Sequence, residues 1–142
     1  MRQESAGSSL PHVDLLRRAT EGLAGRVEEI LADAGLTLDQ WRVLWTLTER
    51  GPLSMSDLAG LTRITGPTVT RAVDRLVERS LLYRNVDAAD RRRVLVHVAP
   101  RGRALRRSLA PQIAEAEQDG LAALSTAEAR TLRRLLERLA TD

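Results

Sequence analysis

The sequence predicts a mostly α-helical protein carrying one small β-hairpin, and three observations predict it. Apolar residues recur at spacings of three and four over most of the 142 residues. Side-chain capping signals divide that periodicity into separate helices. Residues 82–86 and 94–98 break the period as two short strand-like runs on either side of a charged turn. A chain of this length hides roughly two-thirds of its unfolded surface on folding, so one compact core is expected.

From the N-terminus, Leu15, Leu16, Ala19, Leu23, Val27, Ile30 and Leu31 make one face of a helix over residues 12–33, closed by Gly35. Thr37-Leu38-Asp39-Gln40 reads as a capping box that starts a second helix. Trp41, Leu44, Trp45 and Thr48 share one face of it, Leu47 flanks them, and Gly51-Pro52 stops it. Ser54-Met55-Ser56-Asp57 caps a short helix whose Leu58, Ala59 and Leu61 are expected to face inward. After a turn of three or four residues, Thr65 serves as the next N-cap, with Gly66 and Pro67 in the first turn. Val69, Ala72, Val73, Leu76 and Val77 then form an apolar stripe.

Two helices joined so tightly make a helix-turn-helix. Counting 100° per residue from Val69, Arg71 lies at about 200°, Arg75 at about 240° and Thr68 at about 260°, so all three point away from the stripe. In the hairpin that follows, the tip Asp87-Ala88-Ala89-Asp90-Arg91-Arg92-Arg93 holds three consecutive arginines. They repel one another unless the aspartates or an anionic partner offset them, which suits the tip to a phosphate or a groove. The C-terminal part holds a helix from about Pro100, with Leu105, Leu109, Ile113 and Ala116 on one face. The capping box Ser125-Thr126-Ala127-Glu128 opens a last helix, with Leu132, Leu135, Leu136 and Leu139 at heptad-like positions.

Composition excludes several classes of function. Hydrophobic residues are 43% and charged residues 29%, and no apolar run approaches the ~20 residues of a membrane span. Residues 1–10 lack the apolar core of a secretory signal, so a cytoplasmic location is expected. There is no Cys, hence no disulfide and no thiolate nucleophile. His12 and His97 stand 85 positions apart, so no metal site or cofactor is expected. Most carboxylates sit at helical spacing from arginines, which suits solvated ion pairs, and neither G-x-S-x-G nor a glycine-rich phosphate loop occurs. No catalytic residue is named, and an enzyme is not expected.

The net charge of +3 is unevenly distributed. Residues 1–53 carry six Arg against eight Asp/Glu, residues 54–99 eight against five, and residues 100–142 eight against six. Every one of the 22 basic side chains is arginine, whose planar fork matches phosphate oxygens and guanine edges.

These pieces, in this order, resemble the MarR family of winged helix-turn-helix transcription regulators over residues 36–105. The residues that carry the resemblance are Ser56-Asp57-Leu58-Ala59, Pro67-Thr68-Val69-Thr70-Arg71, Asp74-Arg75-Leu76, Asp87 with Asp90-Arg91-Arg92, and Pro100-Arg101-Gly102. The terminal helices match by length and placement. The resemblance implies an N-terminal arm and dimerisation helix over 1–35, a winged DNA-binding region over 36–99 and C-terminal dimerisation helices over 100–142.

It further implies a homodimer whose terminal helices interlock through Leu15, Leu109, Ile113, Leu132, Leu135, Leu136 and Leu139, although packing within one chain is the plainer use of such stripes. Two recognition helices would enter successive major grooves roughly 34–36 Å apart, so double-stranded DNA carrying an inverted repeat is the expected partner. The expected contacts are Ser56, Thr65, Pro67, Thr68, Thr70, Arg71 and Arg75, with Arg91, Arg92 and Arg93 in the wing. First-turn capping competes for the threonines, and pairing with Asp74 or Glu78 competes for Arg75. Asp87 and Asp90 are assigned to support of the wing, while Arg91 and Arg92 share the role of entering the minor groove. Where the family has Gly after the recognition helix, this chain has Ser80, at a cost of about 1 kcal/mol if the position is left-handed.

The family's small aromatic or phenolic anion points to a crevice near His12, Leu16, Trp41 and Trp45, for which core packing of the tryptophans is the alternative. Lacking Cys, the chain is outside the peroxide-sensing branch. A repressor released by such a ligand is the expected function. A ligand-independent architectural factor or activator, and a helical adaptor for an acidic protein, remain open beside it.

Overall fold

A computed structural model describes residues 10–141. The arm over residues 1–9, and with it the expectation of no leader, lies outside the described residues. Six helices and two strands follow in the order α1 (His12–Asp33), α2 (Leu38–Arg50), α3 (Met55–Thr62), α4 (Gly66–Glu78), β1 (Leu82–Val86), β2 (Val94–Val98), α5 (Pro100–Gly120) and α6 (Thr126–Leu139).

The local chemistry that sets these boundaries is visible at each end. Thr37 Oγ1 accepts from the Gln40 amide at 3.1 Å while Gln40 Oε1 accepts from the Thr37 amide at 3.0 Å, closing the first capping box. Ser125 and Glu128 repeat the arrangement at α6, and Ser54 accepts from the Asp57 amide at α3. Thr65 is the N-cap residue of α4, but its side chain does not cap. Its hydroxyl donates to Thr68 Oγ1 at 3.0 Å, a side-chain bond that replaces the expected one to the backbone.

α1 and α4 end in the same way. The Leu36 amide donates to the Leu31 carbonyl and that of Gly35 to Ala32, while at α4 the Leu81 amide donates to Leu76 and that of Ser80 to Val77. Both are Schellman closures, whose middle residue must be left-handed. Gly35 adopts φ +69° and Ser80 φ +58°, so the strain expected at Ser80 is present.

β1 and β2 pair antiparallel with Tyr83 opposite His97 and Arg84 opposite Val96. A lone two-stranded hairpin is marginal in water. Here Leu53 exchanges both backbone hydrogen bonds with Val96, at 3.3 and 2.8 Å, which adds a third pairing. Tyr83 and His97 stack across the outer face with ring centroids 4.9 Å apart.

The core is formed by Leu31, Val43, Leu44, Leu47, Leu58, Val73, Leu76, Leu82 and Val96, with Leu109 and Ile113 added by α5. Each such side chain contributes roughly 1.5–3 kcal/mol by leaving water. Gly102 lets the start of α5 lie against the Leu81 carbonyl, where any Cβ would collide. No helix among the described residues is long and apolar enough to cross a membrane.

Three expectations of packing need correction. Leu61 is 47% exposed, because only Leu58 of the eight-residue α3 points fully into the core. On α2 the buried stripe is Trp41, Val43, Leu44 and Leu47, which leaves Trp45 at the margin. Leu109 and Ile113, expected between subunits, are already buried in this chain's own core.

Candidate nucleic-acid interface

α4 is strongly two-sided: its buried Val69, Ala72, Val73 and Leu76 hold it on α2 and α3, which leaves the opposite side to solvent. Pro67, Thr70, Arg71 and Arg75 are exposed and Thr68 is half-buried. Arg71 donates to Thr68 Oγ1 at 3.3 Å, so these two side chains form one polar unit on the first two turns. The Thr70 hydroxyl donates back to the Gly66 carbonyl at 3.0 Å, which leaves its oxygen as an acceptor and its methyl for apolar contact. Arg75 is paired with Glu78 at 3.2 Å, the competing use foreseen for it. Ser56 and Thr65 are exposed at the starts of α3 and α4.

At the hairpin tip the two aspartates act on the backbone. Asp87 Oδ1 accepts from the Ala89 amide and Asp90 Oδ1 from the Arg92 amide, both at 3.0 Å, and the Asp87 amide donates to the Arg93 carbonyl at 2.8 Å. These turns fold the tip through its backbone, and Asp90 makes in addition one long ion pair with Arg92. Arg92 is 97% exposed at its side chain, 3.8 Å from Asp90, and Arg91 makes no hydrogen bond or ion pair among the described residues.

Arg93 points elsewhere. It reaches Asp57 on α3 at 3.2 Å, while Arg84 on β1 meets Asp74 on α4 at 2.5 Å. Two ion pairs therefore tie the hairpin to both helices of the turn. Arg93, expected at a nucleic acid, is thus engaged with Asp57, and neither this pair nor Arg84–Asp74 leaves a sequence signal, because each partner is distant in the chain.

A cleft of about 850 Å3 lies among α1, α2, the end of α3, α5 and α6. Trp41 and Trp45 line it, with ring centroids 6.0 Å apart. The Arg106 guanidinium sits 4.2 Å over the Trp45 ring and pairs with Glu49, a cation–π contact that holds the indole in place. The α1 residues on the wall are Thr20, Leu23, Ala24 and Val27. His12 and Leu16, expected beside the tryptophans, are exposed and not part of the lining, because only the later turns of α1 pack on the core. Leu61 and Thr62 line the cleft from α3, Arg42 from α2 and Arg133 from α6, all missed by periodicity.

The remaining apolar surface is on the terminal helices. Leu15 and Leu16 of α1 are exposed, as are Leu135, Leu136 and Leu139 of α6; Leu132 is half-buried, and α6 buries no residue fully.

A helix-turn-helix braced by a basic two-stranded wing defines the class of winged helix-turn-helix DNA-binding regulators. The chain belongs to the MarR family, whose model matches residues 36–94. It is 32% identical over 100 residues to the HTH-type transcriptional regulator FarR of Neisseria gonorrhoeae, covering 70% of this chain and 68% of that one. To the HTH-type transcriptional repressor NicR of Pseudomonas putida it is 28% identical over 125 residues, 88% of this chain and 79% of NicR. Among solved structures, BpsR of Bordetella bronchiseptica, whose DNA binding is regulated by 6-hydroxynicotinic acid, superposes with a TM-score of 0.85 at 33% identity. That match covers 96% of this chain and 97% of BpsR. The protein is a MarR-family transcriptional regulator.

Proposed function

We propose that the protein works as a homodimeric repressor that binds an inverted-repeat operator and is released by a small aromatic anion. The observation that carries this reading is the bracing of the wing: Arg84–Asp74 ties the hairpin to α4 and Arg93–Asp57 ties it to α3. A supported position of hairpin against helix is what base recognition needs. Arg71, with Thr68 and Thr70, reads base edges in the major groove, and Pro67, Ser56 and Thr65 lie along the backbone. Arg91 and Arg92 are the side chains left for the minor groove.

Dimerisation uses Leu15 with Leu132, Leu135, Leu136 and Leu139, whose apolar faces lack cover in one chain. The cleft suits a ligand that stacks on Trp41 and Trp45 with an anionic group facing Arg42 or Arg133, and the regulation of BpsR by a pyridine carboxylate supports that class. Selection from random duplexes tests the reading. An enriched inverted repeat with half-sites about one helical turn apart is expected, and recovery of no motif overturns it.

A further inference from the structure

We infer that Arg79 is a positioning residue for operator recognition, setting the angle of α4 relative to α1 and so the spacing at which a dimer presents its two reading helices. This rests on the dimeric reading above. Arg79 is the C-cap of α4, and its guanidinium donates to two carbonyls at the end of α1: Nη1 to Gly35 and Nη2 to Ala34, both at 2.9 Å. These are carbonyls that the closing turn of α1 leaves without a helical partner. A cation there also opposes the negative end of the α1 dipole.

The tie matters because of what surrounds it. α1 packs mainly on α5 and α2, while α4 packs on α2, α3 and β1. The two helices with the most different proposed duties, subunit pairing and base reading, are thus joined end to end by one side chain. Both ends are Schellman turns of fixed shape, so the link is stiff on either side. A planar fork holding two adjacent carbonyls resists rotation as a single bond would not.

Leverage converts this into specificity. α4 has 13 residues and spans roughly 20 Å, so a tilt of about 5° at Arg79 displaces its first turn by roughly 1.7 Å, more than a hydrogen bond to a base tolerates. Arg79 lies at the far end of α4 from Thr68 and Arg71 and acts through them. The later turns of α1 also wall the cleft, so any shift of α1 that follows ligand entry reaches α4 through this fork.

The test uses the full chain, its selected operator, and operators with one base pair added or removed between the half-sites. The wild type is expected to lose about tenfold or more in affinity at either altered spacing. In Arg79→Met the penalty shrinks below about threefold, while the dependence of affinity on salt keeps its slope because no phosphate contact is removed. Arg79→Lys, with one point charge for two carbonyls, falls between. Melting curves fix an assay temperature at which each variant is folded; if Arg79→Met is unfolded throughout, the Lys variant must itself show the reduced penalty. A variant that binds more weakly but keeps the full spacing penalty shows Arg79 to be stabilising only and overturns the inference. A wild type that selects no inverted repeat removes the dimeric reading first, and this inference with it.

Discussion

The winged region and the last helix, α6, treat their apolar residues differently. In residues 36–99, Val43, Leu44, Leu58, Val73, Leu76 and Val96 are completely buried within one chain. In α6, Leu135 is 42% and Leu139 70% exposed, and Val13, Leu15 and Leu16 at the start of α1 are exposed as well. The first region packs a continuous core within one chain and leaves apolar side chains exposed only at its margins, such as Leu61 and Val86, whereas α6 is amphipathic and buries no residue fully. The winged region is completed by α1 and α5 of its own chain, and on the proposed reading the exposed apolar face of α6 and the start of α1 are what a second subunit buries.

The contrast can be broken most forcefully at α6. Leu135→Glu with Leu139→Glu places charge on the unpartnered face, and sedimentation should show monomers. Operator affinity is expected to fall about 100-fold or more, because two linked half-site contacts become independent, while the near-UV signal of the α2 tryptophans persists. A dimer that survives the double change would leave that face without its proposed role.

A smaller effect belongs to the wing. Arg91→Ala with Arg92→Ala should weaken operator binding about tenfold and flatten the salt dependence by roughly two phosphate equivalents per chain, with the melting transition nearly in place. Unchanged affinity would take the hairpin tip out of recognition. In contrast, Arg93→Ala should loosen the hairpin itself, since it breaks the contact with Asp57.

At Ser80, the left-handed residue between α4 and β1, Ser80→Gly is expected to stabilise the protein by roughly 1 kcal/mol in denaturant unfolding. Destabilisation would show that the Ser side chain makes up for its backbone. The smallest effect is at the start of α6. Hydrogen bonds from the Ser125 backbone and side chain hold the Glu128 carboxyl below its ordinary value of 4.5. A depressed carboxylate stabilises the folded state above its unfolded pKa and loses that contribution as pH falls through the lower folded value. Amide exchange over the first turn of α6 should therefore accelerate only on acidification below about 4.5, and Glu128→Gln should remove that dependence. Exchange that ignores pH in this range, beyond its intrinsic trend, would leave the cap without a charge contribution.

Local signals carried most of the fold. Both capping boxes, the strand limits and the buried stripe of α4 depend on residues within four positions of one another, and each is found where the periodicity put it. Signals failed where the outcome depended on a distant surface. The stripe holding Leu109 and Ile113 reads alike whether its cover is a second subunit or the core, and the fold supplies the core. In the eight residues of α3 the period is too short to separate Leu58 from Leu61. Arg79, 44 and 45 positions from its acceptors, and Arg93, 36 from Asp57, offer no pattern in the chain at all. The charged face of α4 was legible because helical geometry alone turns it outward.

On the proposed function, two chains joined through the terminal helices present two copies of α4 and its braced wing to a single duplex. Weighing the complex with its selected operator by native mass spectrometry tests this most directly. Two chains per inverted repeat are predicted, with a marked loss of affinity when one half-site is scrambled. One chain per duplex, bound equally well to a half-site, would contradict it.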